Sequence, residues 1–436
     1  MNAFEILAKL NENGIAALLV GGTVRDMVAG YTPCDYDIEC YHTSMEHLTN
    51  VLSTFGTVNA VGKEFGVLKC KIDGFEYDVA LARTENRIGV GHRDFNVDTN
   101  EHIDPYTASL RRDFTVNAMA MNQHGELVDF HNGRNDLGGG ILRPVSESFK
   151  EDPLRVLRAM QFASRFNMTA SDKLIEYAQE MVNEYQNLSV DRVREEWLKW
   201  ASGRYPHKGL QLLNDTGWIM NFISISNLLY TDQNPKYHPE GDVYTHTYLA
   251  LKYAGRFECP LTNLSVLCHD MGKFDYTRII NGEIASPGHQ DSTRARWFME
   301  SIALPNEMID NVCTVVENHM IPWDNMSDRA VRRLRNRLGD APCSVLCQTI
   351  MSDINGRGSR VSVAKVEELY TRLVNIDNRQ SGMIEPLVKG RHLINAGFTP
   401  SKKFGVALDT VYDLQIDHNL PFNDLLEVAI KLMKRL

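Results

Sequence analysis

Two aspartates separated by one residue, Asp35 and Asp37, could carry out metal-dependent chemistry. They open the segment 35–40, in which apolar residues alternate with acidic ones, a pattern that predicts a β-strand. Alternate side chains of a strand share a face, so the two carboxylates should point the same way and repel each other unless cations lie between them. Mg²⁺ prefers oxygen ligands, and two such ions can activate a hydroxyl nucleophile and stabilise a departing pyrophosphate. Asp78, on a later predicted strand, is the candidate third carboxylate.

A glycine pair precedes these aspartates. The predicted strand 14–20 leads directly into Gly21 and Gly22, and a helix is expected to follow. Glycines allow the backbone to approach a phosphate closely, and the start of a helix offers free N–H groups. Arg25 adds positive charge at the same place. The sequence therefore predicts a phosphate site beside the carboxylates.

A second group of potential metal ligands lies in the middle of the chain, in the order H…HD…D typical of HD phosphohydrolases. Adjacent residues on a helix project about 100° apart, so His269 and Asp270 can bracket one ion while other helices complete the site. Imidazoles with carboxylates suit transition divalents such as Ni, Co or Mn better than Mg. Lys273 could contact a phosphate, and the alternative is a degenerate domain without metal. The candidate ligands are His246, His269, Asp270 and Asp353, with His289 and His319 between them.

The elements that must position these residues change character along the chain. Residues 1–140 alternate short β-rich runs with helices, and the Asp73-Gly74 pair between two such runs predicts a hairpin. From about residue 150 the apolar residues follow a helical period, and Gly203 is a plausible helix stop. The polar, turn-rich stretch 227–242 predicts a domain junction.

Length, composition and net charge narrow the kind of protein that this sequence can be. The 436 residues suffice for two or more domains, and no run of about 18 apolar residues is present, so no membrane is expected as a partner. Eight cysteines without zinc-site spacing and no signal peptide favour a reducing cytoplasm. The net charge of −10 weighs mildly against nucleic acid, although binding depends on local patches. Arg329, Arg333 and Arg337 form one helical ridge, which is either a solvated face or an RNA contact.

Further motifs, in a fixed order, carry a family resemblance. The glycine turn with D-x-D, together with these motifs, resembles the class II tRNA nucleotidyltransferases and bacterial poly(A) polymerases of the polymerase β superfamily. The motifs are Arg111-Arg112-Asp113 followed by Asn117-Ala118, Asp129 followed by Gly133, Asp136 and Leu137, Glu151-Asp152 followed by Arg155, and the segment 189–196.

The resemblance implies an α+β fold and four domains. A polymerase β-like nucleotidyltransferase head with a small mixed sheet would occupy residues 1–142. All-helical domains would follow: a neck with the base-recognition motif at 143–225, an HD phosphohydrolase domain at 226–360, and a tail that contacts tRNA at 361–436.

The resemblance also implies roles for individual residues. Asp35 and Asp37 would bind Mg²⁺, with Asp78 as the third catalytic carboxylate. Asp152 and Arg155, three apart and expected on one helix face, would act as a protein template for the incoming base. Cytosine and adenine present an amino donor beside a ring acceptor, which a carboxylate and a guanidinium can recognise together. Gln161 stands where the family often has arginine. The expected nucleotide-binding residues are Gly22, Arg25, Arg112, Asp152, Arg155 and Arg158.

The implied function is addition of CCA to the 3′ end of tRNA from CTP and ATP, without a nucleic-acid template or an obligate protein partner. The segment 83–93 resembles the loop required for the final A, and 62–67 is closer to tRNA nucleotidyltransferases than to poly(A) polymerases. The HD domain would hydrolyse phosphomonoesters and 2′,3′-cyclic phosphodiesters. The alternatives are a poly(A), CC-adding or A-adding enzyme with a structural HD domain, a phosphohydrolase that only holds RNA through its head, and an inactive RNA-binding scaffold.

Overall fold

The computed structural model describes residues 1–33, 35–59, 67–82, 103–357, 362–376 and 384–435, and the backbone of 84–87 and 95–98. The chain divides into two compact units, Met1–Asn221 and Phe222–Leu436. The division precedes the polar stretch 227–242 by a few residues. No helix in the described part of the chain combines the length and apolar character that a membrane span requires.

The first unit contains eleven of the described strands. Seven of them form one mixed sheet in the order β3-β4-β5-β2-β1-β8-β9, and β6–β7 and β10–β11 form two small pairs. The strands are β1 (Ala16–Val20), β2 (Tyr36–Tyr41), β3 (Thr57–Asn59), β4 (Val67–Ile72), β5 (Phe75–Leu81), β6 (Thr84–Arg87), β7 (Phe95–Asp98), β8 (Ala120–Met121), β9 (Leu127–Val128), β10 (Ile141–Leu142) and β11 (Thr169–Ala170).

Nine α-helices accompany these strands. They are α1 (Ala3–Glu12), α2 (Gly21–Val28), α3 (Met45–Leu52), α4 (Pro105–Ser109), α5 (Gly133–Gly139), α6 (Leu154–Phe166), α7 (Asp172–Glu180), α8 (Val190–Ala201) and α9 (Pro206–Asp215).

The sheet is built as the sequence pattern predicts. Asp73 and Gly74 adopt φ of 49° and 87°, values that suit a tight hairpin turn, and they join the antiparallel strands β4 and β5. One face of β2 buries Ile38 and Cys40 in a core that includes Leu7 of α1. The opposite face is therefore left to the acidic residues of β2. The predicted α+β fold, with a small mixed sheet before a helical region, is confirmed.

Helices α6, α8 and α9 pack together after the sheet, with Trp197 and Trp200 fully buried. Helix α8 ends at Ala201, where Gly203 predicted a stop. A Cβ atom at Gly203 would lie 2.1 Å from Oγ of Ser164 in α6. Glycine is therefore required there because the chain passes directly against α6.

In its described residues, the second unit is helical apart from one two-stranded hairpin. Helices α11, α12, α15 and α17 pack against one another. His246 and Asp353 lie within α11 and α17, and His319 directly follows α15. The expectation that His269 and Asp270 are adjacent residues of a helix is wrong, because α12 ends at Cys268 and both follow it in a turn. The elements are α10 (Ile223–Ser226), α11 (Val243–Ala254), α12 (Pro260–Cys268), α13 (Lys273–Tyr276), β12 (Arg278–Ile280), β13 (Glu283–Ala285), α14 (Thr293–Ser301), α15 (Asn306–Asn318), α16 (Asp328–Leu338), α17 (Cys343–Gly356), α18 (Ala364–Asn375), α19 (Gly390–Asn395), α20 (Lys402–His418) and α21 (Phe422–Arg435).

The arginine ridge on α16 binds the end of α20. Arg329 and Arg333 both pair with the carboxylate of Asp417, and Arg332 donates to the carbonyls of Ile416 and Asp417. Arg337 donates to Asn318 at 3.1 Å. Cationic side chains are favourable at the carbonyl end of a helix. The side chains of Arg329 and Arg333 nevertheless stay 52% and 49% exposed. The ridge is therefore a solvated face that also joins two helices of the second unit, and an RNA contact by it stays a prediction.

Candidate active site and metal centre

The carboxylates of the first unit come together through strand pairing. Strands β2 and β5 are parallel and place Asp37 directly beside Asp78. Asp35 is exposed and immediately precedes β2. Thr23, in the glycine turn, donates its hydroxyl to the carbonyl of Asp35 at 3.0 Å and accepts the N–H of Asp37 at 2.9 Å. The turn therefore fixes the start of the acidic strand.

The charges at this edge are concentrated. Burial raises the pKa of Asp37 above its ordinary value; the guanidinium of Arg112 opposes that rise, and the neighbouring Asp78 and Asp35 add to it. The oxygens of Asp35, Asp37 and Asp78 do not all lie within 4.8 Å of one another. They form an open acidic edge, at which Arg112 lies beside Asp37 and Lys69 pairs with Asp78 at 3.5 Å.

Of the two glycines in the pair, only Gly21 stands where the backbone and its neighbours require glycine. It has a φ of 68°, and a Cβ atom there would lie 3.0 Å from Arg112 Nη1 and 3.3 Å from Asp37 Oδ2. At Gly22 an added Cβ would make only ordinary contact with Arg25. The close approach of the turn to both a carboxylate and a guanidinium therefore depends on Gly21.

Glu39, two residues after Asp37 and on the same strand face, is a site residue that the sequence did not single out. Its buried carboxylate accepts from Arg111 at 2.6 Å and from the hydroxyl of Tyr41 at 2.8 Å, and it lies 3.5 Å from Arg112. Burial would raise the pKa of Glu39, but the two arginines lower it below its ordinary value. Glu39 therefore anchors both arginines beside Asp37. The two-residue strand period is the signal that could have identified it.

Arg112 also lines a polar cavity of about 470 Å³, a volume in the range of small-ligand sites. Four arginines and four carboxylates face this space, an arrangement that suits an anionic, hydrogen-bonding ligand. The lining residues are Arg112, Asp113, Asp152, Leu154, Arg155, Arg158, Arg192, Glu195 and Glu196.

Asp152 and Arg155 both line the cavity, but the prediction that they share a helix face is wrong. Asp152 ends the 3₁₀-helix Glu147–Glu151 with extended backbone (φ −128°, ψ 103°), so it precedes α6. Its carboxylate accepts the N–H of Leu154 at 3.1 Å and is held by Arg192 at 2.6 Å. The sequence did not identify Arg192, because its partner lies 40 residues away.

The two arginines of α6 are held by the preceding segment. Arg155 donates to the carbonyls of Ser148 at 2.6 Å and Arg111 at 2.7 Å. Arg158 makes two hydrogen bonds, of 2.9 and 2.7 Å, to the carboxylate of Asp113. Burial would raise the pKa of Asp113, but Arg158 lowers it below its ordinary value. Both guanidinium groups therefore face the cavity in fixed positions.

Two other expected positions lie in the protein interior. The buried guanidinium of Arg25 donates to Asp26 and Asn117 and stacks within 5.2 Å of the ring centroids of Phe162 and Phe166. Gln161 is buried and accepts from Arg165 at 3.2 Å. Neither residue is among those lining the cavity. A nucleotide contact by Arg25 stays a prediction.

The second unit brings together the six residues that the sequence indicated. One group consists of His246, His269 and Asp353, and a second consists of Asp270, His289 and His319; within each group the ligand atoms lie within 4.8 Å of one another. The groups adjoin, since His269 Nε2 lies 3.2 Å from Asp270 Oδ2. Side chains from separate helices thus converge on one centre.

The electrostatics of this centre favour a cation. Burial alone would lower the pKa of His246, but hydrogen bonds with Asp353 and Glu240 raise it to about 9. Burial would likewise raise the pKa of Asp270, whereas His269 and Lys273 hold it well below its ordinary value. Carboxylates that stabilise a proton on a buried imidazole would stabilise a metal ion in the same place.

Glu240 and His238 belong to this centre, although the sequence did not single them out. Oε1 of Glu240 accepts from Nδ1 of His246 at 2.7 Å and from Nδ1 of His238 at 2.9 Å. This leaves Nε2 of His246 directed at Asp353, 3.0 Å away. Carboxylates commonly orient metal-binding histidines in this way. The short His-x-Glu spacing before His246 is a signal that could have identified them.

A cavity of about 340 Å³ opens onto the same centre. Its wall includes Asp270, His289 and Asp353, together with the cationic side chains of Lys273 and Arg357. Lys273 is buried, forms an ion pair with Asp270 at 2.8 Å and donates a hydrogen bond to Gln233 at 2.6 Å. The cavity therefore places positive charge next to the candidate metal ligands.

Two segments that the sequence singled out fall largely outside the described residues. The loop 83–93 lies outside the described residues except for the backbone of β6, and 62–66 lies outside them entirely.

Comparison with known proteins gives the first unit a family. The poly A polymerase head domain family matches residues 17–143. A multifunctional CCA protein of Vibrio cholerae is 35% identical over 313 residues, which cover 69% of this chain and 75% of that protein. One from Methylobacillus flagellatus is 32% identical over 309 residues, covering 69% and 72%. One from Acinetobacter baumannii is 36% identical over 262 residues, and the chain spans 62% of its length.

Solved structures show the same fold at low identity. The Bacillus stearothermophilus CCA-adding enzyme in complex with CTP aligns over 100% of this chain and 98% of its own, with a TM-score of 0.70 and 20% identity. The Thermotoga maritima CCA-adding enzyme complexed with tRNA aligns over 99% and 94%, with a TM-score of 0.58 and 20% identity. This chain contains a poly A polymerase head domain, and it is more than 30% identical to relatives of which it covers over two thirds of the length. It therefore belongs to the family of multifunctional CCA proteins.

Proposed function

We propose that this chain adds CCA to the 3′ end of tRNA, from CTP and ATP and without a nucleic-acid template. The observation that carries the proposal is the position of Arg112. This residue lies beside Asp37 at the acidic edge and also lines the 470 Å³ cavity. A nucleoside triphosphate in that cavity would have its phosphates beside the carboxylates and its base beside Asp152 and Arg155.

The relatives support this choice. Those reported above are named multifunctional CCA proteins, and similar structures are CCA-adding enzymes in complexes with CTP, ATP or tRNA. The poly A polymerase head alone would also fit a poly(A) polymerase or a partial CC- or A-adding enzyme. We favour full CCA addition because the loop 83–93 resembles the element required for the last step.

Magnesium fits the acidic edge. Asp35, Asp37 and Asp78 offer only oxygen ligands. The pKa of Asp37 is raised mainly by burial and further by the neighbouring carboxylates, a cost that a bound cation would offset. When bound there, Mg²⁺ would supply charge stabilisation for nucleotidyl transfer. The chain itself would hold the phosphates near Gly21 and Arg112, and Glu39 would keep that guanidinium in place.

Base selection would rest on the cavity side chains. The carboxylate of Asp152, oriented by Arg192, can accept from the amino group of cytosine or adenine. The guanidinium of Arg155 retains donors for the ring acceptor, because only one hydrogen bond is made by each of its two terminal nitrogens. Uracil and guanine present a carbonyl where the amino group would be, and therefore meet Asp152 unfavourably.

The test is incorporation of labelled CTP and ATP into tRNA that lacks its 3′ terminus. We expect two C residues followed by one A, and no addition to tRNA that already ends in CCA. A long A tract would indicate a poly(A) polymerase, and addition that stops after CC would indicate a partial enzyme. If the protein incorporates no nucleotide but still hydrolyses phosphate esters, it is a phosphohydrolase whose head only holds RNA. If it shows neither activity, it is an RNA-binding scaffold.

We further propose that the second unit is a metal-dependent phosphohydrolase acting on phosphomonoesters and 2′,3′-cyclic phosphodiesters. The supporting observation is the convergence of six imidazole and carboxylate ligands beside a cavity with Lys273 and Arg357. The buried Nε2 of His319 has no hydrogen-bond partner among the described residues, which fits a role as a metal ligand. Nickel, cobalt or manganese suits this donor set, and the bound ion would act as a Lewis acid on phosphate.

Chelator-treated protein tests the second activity. Phosphate release from a 2′-nucleotide, and opening of a 2′,3′-cyclic nucleotide, should return with nickel, cobalt or manganese more strongly than with magnesium. If none of the four metals restores hydrolysis, the second unit has only a structural role.

A further inference from the structure

An exposed cluster of rings lies on the first unit outside the cavity. Tyr106, Phe130 and His131 form what we term the aromatic platform. The ring centroids of Tyr106 and Phe130 lie 5.6 Å apart, edge to face, and those of Tyr106 and His131 lie 5.6 Å apart, stacked. Tyr106 is 48% exposed and Phe130 is 44% exposed. Large rings held this far into solvent offer flat apolar surface to a ligand.

The platform is attached to the acidic face of the sheet. Asp37, Glu39 and Tyr41 alternate along β2 and therefore share one face. Tyr41 packs with Ala108 of α4, the helix that carries Tyr106. Helix α4 thus covers the same face of the sheet that bears Asp37, at Tyr41, which lies four residues (about 13 Å) farther along β2.

Hydrogen bonds fix the platform in place. The hydroxyl of Ser109 donates to the carbonyl of Tyr106 at 2.6 Å and lies 2.7 Å from Nε2 of His131. Two residues beyond Ser109, Arg111 binds Glu39 at 2.6 Å. The rings are therefore linked rigidly to the strand that carries the carboxylates.

We propose that the aromatic platform stacks the unpaired 3′-terminal bases of the RNA that is being extended. This inference rests on the proposed nucleotidyltransferase function. The last base of such an RNA changes with every addition, so its recognition must tolerate different bases. Stacking on aromatic rings has this property, because every base has a π-face, whereas hydrogen-bond readout does not.

Kinetics on matched variants test the proposal. Tyr106→Ala and Phe130→Ala should each raise the KM for tRNA lacking its terminus by about fivefold or more, the factor expected for losing one stacked base. The KM for CTP should stay unchanged, since neither ring lines the cavity. Tyr106→Phe should behave as the wild type because it keeps the ring. Phe75→Ala is the control, since Phe75 is 57% exposed in the same unit at the β4–β5 turn.

A second measurement does not depend on activity. A tRNA acceptor hairpin that carries 4-thiouridine at its 3′ end, in place of the last nucleotide before CCA, is bound to the wild-type protein and irradiated. Crosslinks in peptides that contain Tyr106 or Phe130 support the platform, even if the protein proves unable to incorporate CTP. An unchanged KM for tRNA in both alanine variants, or crosslinks confined to other peptides, would overturn it. Loss of CTP incorporation in the wild type would overturn the proposed function instead.

Discussion

Asp37 and Asp78 are direct neighbours across the parallel strands β2 and β5. Each belongs to a different part of the sequence, and Asp78 follows a hairpin whose turn is fixed by Asp73 and Gly74. The pairing gives the sheet an edge where two carboxylates face the same space. Burial of a negative charge at this edge lowers the free energy of unfolding at neutral pH, and it favours the binding of a cation. Both effects can be measured.

Removing either charge should separate activity from stability. Asp37→Asn and Asp78→Asn should lower CTP incorporation by about a hundredfold or more, because ligands for the charge-stabilising ions are lost. The pKa of Asp37 is raised, so stability from this group is present at low pH and is lost as pH rises through its folded pKa. At neutral pH, without metal, Asp37→Asn should therefore unfold at the same or a higher temperature than the wild type.

The control for this pair is Glu76→Gln, two residues before Asp78 on the same face of β5. It removes an exposed charge whose register partner in β4 is Lys71, and its activity should match the wild type. Near-normal incorporation by Asp37→Asn would refute the assignment of the acidic edge.

The pair formed by Asp113 and Arg158 should stabilise the first unit. Asp113→Asn breaks two hydrogen bonds to Arg158, and because that arginine is about one third exposed we expect a loss of about 2 kcal/mol, below the range for fully buried pairs. The pKa of Asp113 is lowered, so its contribution is present above its ordinary value of 3.8 and is lost as pH falls below that value.

Urea unfolding at pH 7 and at pH 3.5 measures both effects. The difference between wild type and variant should shrink at the lower pH. Asp191→Asn, which breaks an exposed ion pair with Arg194, should cost under about 1 kcal/mol. Equal losses in the two variants would show that the Asp113 pair is no stronger than a surface pair.

Base choice should depend on Asp152 and on the arginine that holds it. Asp152→Ala removes the acceptor for the amino group, and Arg192→Ala releases that carboxylate from its 2.6 Å contact. Both changes should raise UTP and GTP incorporation relative to CTP in single-turnover assays. Arg194→Ala, on the same helix but not among the cavity residues, should leave the ratio unchanged. If Asp152→Ala keeps the wild-type ratio of UTP and GTP incorporation to CTP incorporation, Asp152 does not act as a template for the base.

The two activities should fail independently. Asp270→Ala removes a candidate ligand that also contacts Lys273, and it should abolish metal-stimulated phosphate release while CCA addition persists. Asp37→Ala should show the reverse pattern. Asp275→Ala removes an exposed aspartate of the same unit that pairs with Arg294, so both activities should survive. Loss of both activities in Asp270→Ala, with a normal unfolding temperature, would contradict this separation.

Glu240 should set the metal affinity of the second unit without binding the ion. Its Oε1 orients His246 through a 2.7 Å hydrogen bond, and losing such a contact typically weakens metal binding by about 10- to 100-fold. Competition with a chelator, followed by nickel titration, measures this change in Glu240→Gln. Glu283→Gln, in the exposed part of the neighbouring hairpin, is the control. An unchanged affinity in Glu240→Gln would leave Glu240 only a packing role.

Much of this protein could be predicted from its sequence because the relevant signals are local. The two-residue period of β2 indicated a strand with acidic and apolar faces, and Asp73-Gly74 indicated a hairpin. The identities and order of the six imidazole and carboxylate residues indicated a metal centre, and the structure brings them together. A side chain's donor atoms and the backbone preference of a turn are properties of a few consecutive residues.

The partners of these residues were decided only by the tertiary structure. Asp152 lies outside the helix where the spacing put it and is held by Arg192. The exposed arginine ridge of α16 pairs with Asp417, a residue more than 80 positions away. Arg25, predicted to reach a phosphate, stacks on rings in the interior. Ion pairs between residues 40 or more positions apart form when packing brings two elements into contact, and no local spacing encodes which elements those will be.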